Sequence, residues 1–190
     1  MKIKVAVFCS GSGSNAEKIF EYFKSHSQIE VCLLLVNNGK SYAIERAKKF
    51  SIPVVVCNKE QFNNGSVLTN LQDYEITWVV LAGFLWLIPA HLIAYFKDHI
   101  INIHPALLPK HGGKGMYGNF VHEAVVKNQE TESGITIHLV NQHYDEGKIL
   151  FQAPCAIAPT DTALDVAKKV QYLEHTYFAI TIEKAILGNL

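Results

Sequence analysis

The sequence predicts an α/β fold in one domain spanning residues 1–190. It is a doubly wound, mostly parallel sheet with helices on both faces, ending in a C-terminal strand pair and a long closing helix. Three observations predict it. Short continuous runs of Val, Ile and Leu alternate with amphipathic stretches of helical spacing, as expected of strands buried on both faces and joined by crossover helices. The second half breaks that rhythm with two longer strand-like runs around a polar, glycine-containing loop. A helical stretch without internal breakers then closes the chain.

Taken in order, the strand-like runs are "IKVAVFC", "IEVCLLLVN", "PVVVC", "TWVVLAGF" and "HIINIH". Between them, "NAEKIFEYFKSH", "SYAIERAKKF", "EQFNNGSVLTNLQDY" and "PAHLIAYFK" carry helical spacing. "ESGITIHLVNQHYDEGKILFQAPCAI" reads as a hairpin that extends the sheet. "TALDVAKKVQYLEHTYFAITIEKAIL" reads as the closing helix, with Thr160, Asp161 or Thr162 as candidate N-caps. No internal repeat or linker interrupts this order.

Composition bounds the function. Hydrophobic residues make up 49% of the chain and charged residues 18%, as in an ordinary globular protein. Seventeen Lys and Arg balance seventeen Asp and Glu, so no bulk field favours nucleic acid or an anionic membrane. Cys9, Cys32, Cys57 and Cys155 form no CxxC pair and read mainly as small buried hydrophobes. The opening "MKIKVAVFCSGSGSN" lacks a signal-peptide layout, and "WVVLAGFLWLIPA" is too short to span a bilayer. A soluble, cytoplasmic protein is expected. No HExxH or paired-Cys spacing appears among the nine histidines, so no metal is expected.

Two stretches carry chemistry. In "VFCSGSGSNAEKIF", Gly11, Gly13, Ser14 and Asn15 join the first strand to the first helix. Glycines allow the sharp turn, and free N–H groups at a helix start attract an anion such as a phosphate. Gly11, Gly13 and Ala16 also fit a dinucleotide pattern, but the second strand ends in Val36, Asn37 and Asn38 without the acidic residue that would hold a ribose. A tight turn without a ligand is the plainer alternative. In "HIINIHP", Asn102 and His104 lie two apart and project to one side of a strand, while Pro105 favours an extended exit. An amide and an imidazole at the carboxyl end of a parallel strand suit a reaction in which a carbonyl oxygen becomes an oxyanion. The imidazole can also move the proton that an attacking amine must lose. A capping Asn beside a structural His is the competing reading. Further on, "YDEG" places Asp145 and Glu146 before Gly147; a carboxylate near His104 would raise its pKa, and a solvated turn would do nothing.

Read together, "SGSGSN", "LAGFLWLIP", "NIHPALLP" and "YDEG" resemble the phosphoribosylglycinamide formyltransferases, folate-dependent enzymes of purine synthesis with a Rossmann-like formyltransferase fold. The resemblance covers nearly the whole chain, with a phosphate- and ribonucleotide-binding half over 1–100 and a half over 101–190 carrying the catalytic strand, folate loop and closing helix. It implies that Asn102, His104 and Asp145 are catalytic, with Asn102 and a protonated His104 stabilising a tetrahedral intermediate and Asp145 raising the His pKa. It implies that Gly13, Ser14 and Asn15 hold the ribonucleotide phosphate, and that Gln171 and Glu174 meet the ribose and glycinamide. The folate would lie against Leu85, Trp86, Leu87 and Ile88, with Asn102 beside it and Asn141, Gln142, His143 and Tyr144 reading its pterin. The implied co-substrate is 10-formyltetrahydrofolate, the partners are small molecules rather than nucleic acid or membrane, and the protein is a monomer or homodimer. The chain departs from the family at Trp86, where many relatives carry an arginine, and at Asn63, Asn64 and Gly65, near a second usual arginine. A folate hydrolase using water as acceptor, or a formyltransferase acting on another amino-sugar nucleotide, shares the same trio.

Overall fold

A computed structural model gives the fold of residues 2–190. The chain divides into two compact units, Met1–Ile101 and Asn102–Leu190.

The first unit follows the alternation read in the sequence: β1 (Ile3–Cys9), α1 (Ser14–Phe23), β2 (Ile29–Val36), α2 (Ala43–Lys49), β3 (Val54–Val56), α3 (Lys59–Asn63), α4 (Ser66–Asp73), β4 (Trp78–Leu81), α5 (Ala90–Tyr95) and the start of β5 (Ile100–His104). Its strands lie in the order β3-β2-β1-β4-β5. β1 pairs in parallel with both β2 and β4, and β2 pairs in parallel with β3. Parallel neighbours need crossover connections, and right-handed crossovers running first towards β3 and then towards β5 wind the sheet in both directions from β1. The point of reversal, between β1 and β4, is where open α/β sheets place their ligands. Burial matches the apolar runs: Val5 to Cys9 and Leu33 to Val36 are almost wholly inaccessible.

Two expectations are corrected here. The continuous helix read over 60–74 is two helices. Asn58 caps α3 reciprocally with Gln61, and Gly65 at φ 94° breaks the path before α4. The strand read through Phe84 ends at Leu81, because Gly83 at φ 75° turns the chain.

The second unit holds the end of β5, α6 (Asn119–Lys127), β6 (Glu132–Leu139), β7 (Ile149–Ala156) and α7 (Ala163–Ile186), with strand order β5-β6-β7. β6 and β7 are antiparallel, as the hairpin reading expects, and β7 is the edge strand that tolerates Pro154. α7 starts at Thr162, whose side chain accepts from the Asp165 N–H while Asp165 reaches back, a capping box. The helix packs on β6, β7 and α6, burying Val166, Val170, Phe178, Ile182 and Ile186. α6 was not anticipated. Its stretch follows a run of glycines and contains two adjacent β-branched valines, yet Val121, His122 and Val125 are buried at helical spacing. No helix among the described residues is long and apolar enough to cross a membrane.

Candidate active site

In the first unit the reversal point is occupied by the glycine loop. Gly13 caps α1 at φ 76°, and a Cβ there would come within 2.5 Å of the Ala43 Cβ, so only glycine fits. No side chain caps α1, whose first turn opens on the loop. Arg46 buttresses the loop from behind: its Nε donates to the Ser12 carbonyl at 3.0 Å, and it pairs with Glu17 on α1. The loop after β4 is tied to the loop after β1. Ser10 N–H donates to the Gly83 carbonyl at 3.0 Å, and Leu85 N–H donates to Ser10 Oγ at 3.0 Å. The glycine loop and the apolar stretch expected to meet folate therefore lie side by side. Along that stretch Leu85 and Leu87 are exposed, Trp86 is half-buried, and Ile88 is buried. Trp86 packs edge-on against Phe62 and Phe84, with the Lys59 ammonium 4.5 Å from its ring centroid. Burial pushes the Cys9 thiol up, against backbone N–H groups of the loop, which suits an unreactive strand-end cysteine.

In the second unit Asn102, His104 and Asp145 come together. Asn102 is half-buried in β5, and His104 ends the strand at 3% exposure. His104 Nε2 lies 2.8 Å from the His111 carbonyl oxygen. A carbonyl only accepts, so Nε2 carries the hydrogen and the neutral ring presents its lone pair at Nδ1. Asp145 Oδ2 faces that nitrogen at 3.4 Å and accepts from the Gly113 N–H at 2.9 Å. Asp145 sits in the β6–β7 loop at φ 58°, in the left-handed region that Asp tolerates. The same loop holds Asn141 to Tyr144, where Asn141 Oδ1 accepts from the His143 N–H at 2.9 Å. Gln171 and Glu174 lie one helical turn apart on α7.

His138 is outside the trio that the resemblance implies, and it joins the group. Its Nδ1 donates to the Leu139 carbonyl at 2.8 Å, so Nε2 is an acceptor, and it receives Asn102 Nδ2 at 3.0 Å. Asp145 Oδ1 is 3.6 Å from the same Nε2. The Asn102 amide commits one N–H to His138 and keeps its second for a ligand. The signal that could have found His138 is its alternation with Thr136 on β6, where both polar residues stand between apolar Ile135, Ile137 and Leu139 and are buried.

The electrostatics correct one expectation. Asp145 does approach His104 and favours its cation, but burial is the larger influence and holds the His104 pKa below its ordinary value. The ring therefore favours its neutral form near pH 7, whereas the resemblance implied a protonated His104 beside the tetrahedral intermediate. Burial also pushes Asp145 up, yet its surroundings, the donating Gly113 N–H among them, hold the carboxyl below its usual range. The result is an ionised carboxylate beside a neutral imidazole and a fixed amide. Such a set can donate to a developing oxyanion, accept a proton at His104 Nδ1 and stabilise the cation that results.

Residues 3–182 match the family model described as formyl transferase. The chain is 42% identical over 182 residues to a phosphoribosylglycinamide formyltransferase, chloroplastic, from Arabidopsis thaliana, covering 92% of this chain and 62% of that protein. A protein of the same description from Vigna unguiculata is 39% identical, with 95% and 60% covered. The chain thus spans about three fifths of the length of these curated relatives. The crystal structure of phosphoribosylglycinamide formyltransferase from Bacillus halodurans superposes with a TM-score of 0.87 at 32% identity, covering 95% of this chain and 94% of that one. With its strand order and its Asn–His–Asp cluster, the chain belongs to the formyl transferase family.

Proposed function

We propose that the protein transfers the formyl group of 10-formyltetrahydrofolate to the amine of 5-phosphoribosylglycinamide, giving formylglycinamide ribonucleotide and tetrahydrofolate in purine biosynthesis. The observation that carries this reading is the cluster of Asn102, His138, Asp145 and His104, in which Asn102 donates to His138, Asp145 faces His104 Nδ1 at 3.4 Å, and one Asn102 N–H remains for substrate. Relatives named for this reaction support the choice of acceptor and donor.

The substrate amine attacks the formyl carbon, and Asn102 Nδ2 donates to the oxygen as it becomes an oxyanion. The ammonium formed on the attacking nitrogen loses a proton to His104 Nδ1. Asp145, already ionised and facing that nitrogen, stabilises the imidazolium and holds its orientation. The imidazolium then returns the proton to the folate nitrogen as the carbon–nitrogen bond breaks. One bond forms, one breaks, and one proton has crossed, with no covalent enzyme intermediate. Gly13, Ser14 and Asn15 would take the phosphate, Gln171 and Glu174 the ribose and glycinamide, and Leu85, Trp86, Leu87 and Ile88 with Asn141, Gln142, His143 and Tyr144 the folate. In this reading residues 1–190 act as one formyltransferase domain, as a monomer or homodimer, in the cytoplasm, on small molecules alone.

Removing either polar group at the tip of β5 tests the assignment. Asn102→Ala and His104→Ala are expected to lower kcat by roughly 10²-fold, about 3 kcal/mol of transition-state stabilisation, with folding retained. Steady-state kinetics on both purified variants reads this, and wild-type turnover in both contradicts the roles given to the pair.

A further inference from the structure

A single turn holds both titratable groups of the cluster. Within residues 111–113, the His111 carbonyl accepts from His104 Nε2 at 2.8 Å and the Gly113 N–H donates to Asp145 Oδ2 at 2.9 Å. The turn is a strained one. His111 has φ 54° and Gly113 φ 93°, two left-handed residues within three positions, and such backbone persists only where its surroundings over-determine it. Gly112 between them is packed so closely that a Cβ would come 2.5 Å from Leu108 Cδ2 and 3.4 Å from Asp145 Cβ. The support comes from behind. Glu130 Oε1 accepts from His111 Nε2 at 3.2 Å, and its other oxygen accepts from Lys110 Nζ at 2.9 Å. Glu130 is itself anchored: its N–H donates to the Val125 carbonyl at 3.2 Å, and the next residue's carbonyl accepts from Ile157 N–H at 2.9 Å. The two ion pairs differ in shelter. The His111 side chain is 9% exposed, whereas Lys110 is 66% exposed and its pair is a solvent-screened surface contact.

We propose that Glu130 is a positioning residue for the reaction: by pinning His111 it fixes the 111–113 turn, and through that turn the tautomer of His104 and the orientation of Asp145. This rests on the formyl-transfer reading of the site. Glu130 touches neither ionisable group and acts only through backbone atoms. Beside it lies a cavity of about 30 Å³ whose lining includes Ala106, Lys110, His111, Glu130, Glu132 and Ser133, the last with a buried hydroxyl that has no partner among the described residues. Shortening Glu130 enlarges a space that is already polar and large enough for water, so the variant is expected to fold.

The test compares Glu130→Ala, Glu130→Gln and Lys110→Ala in the full chain, by steady-state kinetics and by ¹⁵N NMR of the His104 ring. Glu130→Ala should lower kcat about tenfold, with KM for both substrates within about twofold, because a misplaced base costs turnover rather than binding. Its His104 ring should pass from the Nε2–H tautomer to a mixture. Glu130→Gln keeps an oxygen that accepts from His111 and should restore both readouts, and Lys110→Ala should match wild type in both. Wild-type kcat and an unchanged tautomer in Glu130→Ala overturn the proposal, as does an equal fall in all three variants. Should the wild-type protein transfer no formyl group, the functional reading fails by itself, and the His104 tautomer in Glu130→Ala still decides the clamp.

Discussion

At the scale of single residues, His104 shows how a site is tuned by what surrounds it. Asn102 and His104 were legible from their spacing before Pro105, but the charge on His104 was not, because burial is set by residues distant in sequence. The consequence can be measured as stability. The folded pKa lies below the ordinary 6.5, so the unfolded chain takes up this proton first as pH falls. The stabilisation is complete above about pH 6.5 and is lost on acidification towards the folded value, at no more than about 1.4 kcal/mol per pH unit for one proton. His122, which burial also shifts down, adds in the same direction. Urea denaturation at pH 7.5 and 5.5 should show wild type losing more stability across the interval than His104→Gln does. An equal loss in the two proteins would mean that His104 is not buried in its neutral form. The roles of His138 and the 111–113 turn escaped the sequence reading for a related reason: they lie in hydrogen bonds across the fold, and no local pattern marks those.

Among the elements, the β6–β7 hairpin carries the acid to the end of β5. Its existence and its polar loop were readable from the change in rhythm after residue 131 and from "YDEG", while the choice of Asp145 over Glu146 depends on a left-handed turn that composition does not specify. Gly147 closes that turn. A Cβ at this position would overlap the Leu139 carbonyl and lie 3.4 Å from His138 Nδ1. Leu139 O is also the acceptor that sets the His138 tautomer. Gly147→Ala is therefore expected to destabilise the protein by about 1–3 kcal/mol and to lower kcat by at least as much as the change in folded fraction, and more where the protein stays fully folded. Thermal melts with kinetics at a temperature well below the midpoint separate the two effects. Normal stability and turnover would show that the hairpin yields freely here. The same local chemistry explains the misread elements: the Asn64–Gly65 turn splits one amphipathic stretch into α3 and α4, and the glycines before α6 conceal a helix whose buried face is only Val121, His122 and Val125.

Across the whole molecule, zero formal net charge leaves anion recognition to local groups. The strand order supplies such a place, since the reversal between β1 and β4 brings the uncapped start of α1 beside the loop after β4. The parallel alternation that predicts this reversal is the most legible feature of the sequence, because buried strands and crossover helices leave periodic apolar patterns. Donor and acceptor together are the central claim. It is tested most directly by following absorbance as 10-formyltetrahydrofolate loses its formyl group, with and without 5-phosphoribosylglycinamide. Loss of the formyl group that begins only when the ribonucleotide is added is the expected result. Equal rates without it would make water the acceptor and contradict the proposed transfer.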